Sequence, residues 1–367
     1  MTAHTTQPAP APTEPQLTEP ALTEPHLTEP VSTAQVRHVV EAATRAPSVH
    51  NTQPWRFVVL PDGFELHADR SRQLPVLDPS GRQLHISCGA ALATATVAAR
   101  ELQLDAVLHL LPDPASPDLL ARVHLAPGRP ATAEESARAA AVQERHTVRG
   151  VFAAEPLPPG LLGRLGRTAE AEGAMLRHVR EDELVELAVL LSGADAAEEQ
   201  DPAYRDELAA WVRDSGQGDG LPTGAVESPA GRGTSLRLRD FTLSGSERSS
   251  GEAPPPERPD VVVLSTLDDA PAAWLRAGQA LGMLLLDAAA AGVQAQPLGQ
   301  VTDLPGPRRR LSAVLGLRGV PQLVLRLGVV SAQGLTPRRP VDEVVAEPAA
   351  PGSAGTAAAA GLADSAP

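Results

Sequence analysis

A duplicated unit dominates this sequence. Cys88-Gly-Ala-Ala-Leu92 is matched by Ala277-Gly-Gln-Ala-Leu281, and a strand-like segment begins the same distance after each glycine, at Asp105 and at Gln294. Small residues at helical spacing let helices approach closely, and a shared interval to the next strand argues for an internal repeat. The alternating strand Gln322–Gly328, like Val261–Leu264 before it, fits a sheet in the second copy. A chain of 367 residues is long enough for two core-bearing units. With 42% hydrophobic residues but only 2% aromatic ones, those cores are built from Leu, Val and Ala.

Taken in order, residues 1–30 carry Thr18-Glu-Pro20, Thr23-Glu-Pro25 and Thr28-Glu-Pro30. A proline-spaced acidic tract cannot bury enough apolar area to offset its ordering entropy, so this tail is expected to be disordered. Ser32 and Gln35 have capping-box spacing, and Val36, Val39, Val40 and Ala43 then recur at helical spacing. Trp55–Leu60 and Phe64–Ala68 read as a hairpin across Pro61-Asp-Gly63, whose glycine is expected to take positive φ. A long helix is expected from Asp78-Pro-Ser80 to Glu101, a buried strand over Asp105–Leu111 and another over Leu119–Leu125. Thr132 and Glu135 cap a further helix that ends near Arg145. Pro202–Arg213 is amphipathic and carries Tyr204 and Trp211. Ser215–Arg258 is rich in Gly, Ser, Pro, Glu and Arg, which leaves a lid and plain disorder both open. The residues from 346 to 367 are expected to form a second disordered tail.

Two short strings could carry chemistry. In Ala46-Pro-Ser-Val-His-Asn-Thr-Gln-Pro-Trp55, five polar side chains lie between two prolines, where the incoming helix must stop. Ser48, His50, Asn51 and Gln53 are thereby held on a stiff turn, able to hydrogen-bond a planar, polar-edged ligand. The bland alternative is a capped loop that satisfies its own backbone. In Arg145-His-Thr-Val-Arg-Gly-Val-Phe152, alternation puts Arg145, Thr147 and Arg149 on one side of an extended segment. Two guanidinium forks and a hydroxyl suit a phosphate monoester, whereas the alternative is a solvated charged helix end.

The first string resembles the flavin-contact loop of the nitroreductase family, and the second its Arg-x-Ser/Thr-x-Arg/Lys motif. Over residues 32 to 345 the chain is similar to the Acg-like branch, in which two nitroreductase-type halves are fused. The resemblance implies an α+β, nitroreductase-like fold of two tandem halves, 31–130 and 131–345, forming an intramolecular pseudo-dimer, with an insert or lid at 202–258. It implies that Arg145 and Thr147 hold an FMN phosphate and that Arg149 lies against the pyrimidine edge of the ring. Ser48, Asn51 and Gln53 would contact the ring. Pro297, Leu298 and Gly299 match the family segment whose backbone N–H groups approach flavin N5. Arg338, or alternatively Arg339, would return to the phosphate, and Ser87 or Gln83 would face the ring. Only the first half has the ring loop and only the second has the phosphate motif; Glu172–Arg177 stands where a second ring loop would be. One FMN per chain, at the interface of the halves, follows.

The activity so implied is NAD(P)H-dependent hydride transfer through FMN to a nitroaromatic or quinone-like acceptor, with no catalytic side chain beyond those that position the flavin. The alternatives are a flavin-sequestering protein with little turnover and a fused dimer without flavin. A net charge of −14 argues against nucleic acid and anionic membranes as partners. Every basic residue is arginine. A single cysteine excludes an internal disulfide framework, and the histidines lack metal-ligand spacing, so no metal is expected. With no signal peptide or membrane-spanning run, a cytoplasmic, monomeric pseudo-dimer is expected.

Overall fold

A computed structural model describes residues 30–149, 152–213, 217–222, 236, 259–330 and 336–346. The expected tails, apart from residues 30 and 346, and most of the expected lid segment lie outside these residues.

The first half runs α1 (Thr33–Ala43), β1 (Trp55–Leu60), β2 (Gly63–Ala68), α2 (Arg82–Glu101), β3 (Leu104–Leu110) and β4 (Leu119–Pro127). After α3 (Ala133–Glu144), the second half runs α4 (Leu161–Ala171), β5 (Met175–His178), α5 (Leu184–Gln200), α6 (Pro202–Trp211), β6 (Val212–Arg213), β7 (Leu221–Pro222), β8 (Asp260–Thr266), α7 (Pro271–Ala290) and β9 (Gln294–Pro297). Two short helices, α8 (Gln300–Asp303) and α9 (Pro305–Val314), lead to β10 (Val320–Gly328), and α10 (Val341–Val344) and β11 (Val345–Ala346) close the described chain.

The repeat extends to topology. One sheet is ordered β1-β2-β4-β3 and the other β5-β8-β10-β9, so each half places its strands first, second, fourth, third. Each sheet packs an apolar face against its own long helix. Trp55, Phe57, Phe64 and Leu66 meet α1 and α2 in one core, and Leu323, Leu325 and Leu327 meet α4 and α7 in the other. The halves join where α2 crosses α7, and the two repeat glycines face each other there. A Cβ on Gly278 would lie 2.8 Å from the Gly89 Cα, and one on Gly89 would lie 2.9 Å from the Gly278 Cα. Only glycine permits so close a crossing. The last described strand returns to the first sheet, with β11 parallel to β1 through Phe57↔Val345.

Both capping boxes form, at Ser32 and at Thr132. Three local expectations are corrected. The long helix starts at Arg82, and Asp78 instead accepts the backbone N–H groups of Gln83 and Leu84 at 3.0 and 2.9 Å. Gly63 is absent from the positive-φ residues; it is required because a Cβ there would strike the Val123 carbonyl across the sheet. The segment beginning at Leu104 is a half-exposed edge strand rather than a buried one, with Val107 52% exposed. The second sheet differs, because α5, α8 and α9 cover its outer face through Leu187, Val301 and Leu311.

Candidate functional site

The loop after α1 is strained. His50, Asn51 and Gln53 have φ of 45°, 54° and 50°, the left-handed region that costs a non-glycine residue on the order of 1 kcal/mol. Side-chain hydrogen bonds hold it there. Ser48 Oγ accepts the Gln53 N–H at 2.9 Å, and Ser87 Oγ accepts the Val49 N–H at 3.1 Å while donating to the Gln83 carbonyl at 2.7 Å. Asn51 Nδ2 donates to the Gly220 and Pro337 carbonyls at 2.9 and 3.1 Å. The loop is thus fastened to α2 and to two distant segments of the second half.

Two cavities of about 110 and 200 Å³ lie between the halves and share Pro47, Ser48, Thr147 and Arg149 as a common wall. Together they reach the lower end of ligand-pocket size, roughly 300 Å³. The smaller is lined in part by Val49, Ile86, Leu281 and Leu323, with His50 and Gln83 among its polar groups. Ser87, Pro297 and Gly299 complete it. The larger collects Arg45, Arg145, Arg149 and Arg338, with Asn51 and Thr147. Arg145 reaches it as the C-cap of α3, and Thr147 is fixed by a parallel bridge to Ala295 on β9.

Among the described residues, no carboxylate lines the larger cavity. Arg145 donates to the Arg45 carbonyl at 2.8 Å. Arg338 donates to carbonyls of Arg45, Ala46, Thr336 and Pro337 and to Asn51 Oδ1, all neutral acceptors. Its buried Nε has no partner among the described residues. Burial first, and then repulsion from Arg145, Arg45 and Arg149, pushes the Arg338 guanidinium down to about 9; burial pushes Arg145 and Arg149 down to about 10. A guanidinium keeps its charge in the working pH range. These depressions therefore express a desolvated, mutually repelling cationic cluster that a bound anion would relieve.

Asp303 also lines the smaller cavity. Asp303 pairs with the buried Arg82 at 3.1 Å and accepts from Gln83 Nε2 at 2.5 Å. Arg82 also donates to the Gln322 and Thr302 carbonyls at 2.7 and 2.8 Å. Burial pushes the nearby Asp78 carboxyl up to about 6, against the two backbone N–H groups that it accepts.

The structure brings Ser48, Asn51, Ser87, Arg145, Thr147, Arg149, Pro297, Gly299 and Arg338 to these cavities. It does not bring Gln53 or Leu298. Gln53 is fully buried outside both, with Nε2 donating to the Gly218 carbonyl at 2.8 Å and Oε1 accepting the Arg339 N–H at 2.9 Å. Leu298 turns into the outer core, and its N–H is used by the Val324 carbonyl at 2.8 Å. Arg339 turns away to Glu343, which leaves Arg338 at the cluster. Sequence reasoning missed Arg45 and Asp303. Arg45 lies two residues before Pro47, just past the end of α1, outside both short strings. Asp303 gave no signal, because its partner Arg82 lies in the other half.

Among known proteins, a model of the nitroreductase family matches residues 26–74, a span that includes α1, the strained loop and the hairpin. A Mycobacterium tuberculosis protein assigned the name NAD(P)H nitroreductase Rv3131 is 35% identical over 318 residues, covering 85% of this chain and 91% of that one. A second from that organism, assigned the name NAD(P)H nitroreductase acg, is 32% identical and covers 86% and 96%. Among solved structures, the FMN-dependent nitroreductase NfnB of Mycobacterium smegmatis in complex with NADPH aligns at a TM-score of 0.36 and 15% identity, over 57% of this chain and 96% of that one. A protein of Anabaena variabilis assigned as a nitroreductase aligns at 0.39 and 13% identity, over 82% and 89%.

Proposed function

The chain belongs to the nitroreductase family and is an oxidoreductase, and we propose that it binds one FMN between its halves and passes hydride from NAD(P)H to a nitroaromatic or quinone-like acceptor. The observation that carries this reading is the convergence of Arg45, Arg145, Arg149 and Arg338 on one cavity, with no carboxylate among its described lining residues, beside a second cavity lined in part by Ile86, Leu281 and Leu323. Arg45, Arg145 and Arg338 with Thr147 would hold the phosphate dianion, and the unpartnered Nε of Arg338 supplies a donor still to be used.

The isoalloxazine, when bound, supplies the hydride chemistry. Ile86, Leu281 and Leu323 would exclude water from it, and the Ser87–Val49 hydrogen bond keeps the loop against the cavity. Arg149 belongs to both cavities, where its fixed cation would stabilise negative charge on a bound ring. The separation of the Ser48 loop and the Arg145 motif onto opposite halves supports a single site per chain, because neither half carries both motifs. A monomeric pseudo-dimer fits, since the α2–α7 crossing already joins the halves within one chain.

An anaerobic NADPH titration of the FMN-loaded chain tests the activity. The expected result is bleaching of the flavin absorbance at one equivalent per chain. A flavin that is bleached by dithionite but by neither NADPH nor NADH would contradict NAD(P)H as the donor.

A further inference from the structure

We propose that residues 211–213 and 217–222 form a strap that fixes the strained loop, with Asp219 as a positioning residue for the arginine cavity. The inference rests on the reading above only where it names FMN.

The two ends of the strap pair in parallel through Val212↔Leu221 and Arg213↔Pro222. Between them, the loop's polar side chains are captured one after another. The Gly218 carbonyl accepts from Gln53, and the Gly220 carbonyl accepts from Asn51 while the Gly220 N–H returns to the Asn51 carbonyl at 3.2 Å. Asp219 pairs with Arg72, whose Nε donates to the Thr52 carbonyl at 2.5 Å and whose guanidinium lies 5.3 Å from the Trp211 ring centroid. Asp219 is thereby linked through Arg72 to Thr52, and Gly220 through Asn51 to Arg338. An apolar underside anchors the assembly, with Tyr204, Leu208 and Leu221 against Leu74 and Leu77, and Glu207 accepts the Val76 and Leu77 N–H groups at 2.9 and 2.8 Å.

No strap residue lines either cavity. Its effect on the site is therefore indirect. Three left-handed non-glycine residues within four positions relax unless surrounding groups over-determine them. The strap meets Asn51 and Gln53 directly and Thr52 through Arg72, and the Asn51 amide it holds also sets Arg338. Removing the strap would on this account release the loop.

The test uses the full chain and two readouts, amide hydrogen exchange without ligand and FMN titration. Asp219→Ala removes the tie to Arg72. Gly220→Ala places a Cβ 2.6 Å from the Trp211 carbonyl at a φ of +72°. Both variants are expected to speed exchange at Asn51, Thr52 and Gln53 and to raise the FMN dissociation constant, roughly tenfold for Asp219→Ala and more for Gly220→Ala. Asp219→Glu should recover part of the loss. Asp118→Ala, which breaks the half-exposed pair with Arg70, should change neither readout. Exchange at residues 51–53 that matches the wild type in both variants, or that rises equally throughout α1 and β1, would overturn the proposal. If the wild-type chain binds no FMN, the exchange result still decides for or against the strap, and only the cofactor reading fails.

Discussion

Replacing Arg338 with glutamine separates a phosphate anchor from a structural arginine, because the two roles predict opposite effects on the ligand-free chain. The guanidinium sits in a cluster with Arg45, Arg145 and Arg149 and has no carboxylate partner among its hydrogen bonds. Losing it costs hydrogen bonds to neutral carbonyls but relieves repulsion and desolvation, and the residue is only half-buried, so solvent screens part of both. The two contributions offset each other to within about 1 kcal/mol, and the ligand-free unfolding midpoint should stay level or rise. The phosphate complex instead loses a charge-assisted hydrogen bond worth about 2 kcal/mol, which is roughly thirtyfold in affinity. Riboflavin, which lacks the phosphate, serves as the internal control. Fluorescence titrations should show weaker FMN binding by Arg338→Gln with riboflavin nearly unchanged, so that the preference for FMN collapses. The reasoning is refuted if both ligands weaken together while the ligand-free chain loses stability.

Two further predictions concern the frame around the site. The Asp78 carboxyl, raised by burial to about 6 from an ordinary 3.8, binds its proton more tightly in the folded chain than in the unfolded one. Its contribution to stability is therefore complete below about pH 4 and is lost as the pH rises through 6, an effect of about 3 kcal/mol; Asp78→Asn should flatten the dependence of the unfolding midpoint on pH across that window. At the α2–α7 crossing, Gly278→Ala should destabilise by about 3 kcal/mol in thermal unfolding, since its Cβ meets the Gly89 backbone at 2.8 Å. Gly166→Ala, mid-helix with no heavy atom within 4 Å, should stabilise by up to about 1 kcal/mol.

What could be read from the sequence was local or duplicated. The capping residues Ser32 and Thr132 act on neighbours three positions away, and the Gly89 and Gly278 spacing announced two related helices. Their mutual contact was not legible, because a repeat does not state which faces meet. The same limit explains the site. Arg145, Thr147 and Arg149 lie within one extended segment, so their convergence on one cavity followed from alternation. Gln53 looked like a ring contact because its partners at Gly218 and Arg339 are remote in sequence. Leu298 fails for a shorter-range reason, since strand-end alternation turns it to the core between the cavity-lining Pro297 and Gly299. The strand beginning at Leu104 read as buried from its apolar content, yet an edge position leaves Val107 exposed.

The central claim, one FMN held by both halves together, is tested most directly by the stoichiometry of FMN binding to the purified full chain in equilibrium dialysis. The account predicts saturation at one FMN per chain. Two equivalents per chain, or saturation at one that survives simultaneous loss of Arg145 and Arg338 as alanines, would contradict it.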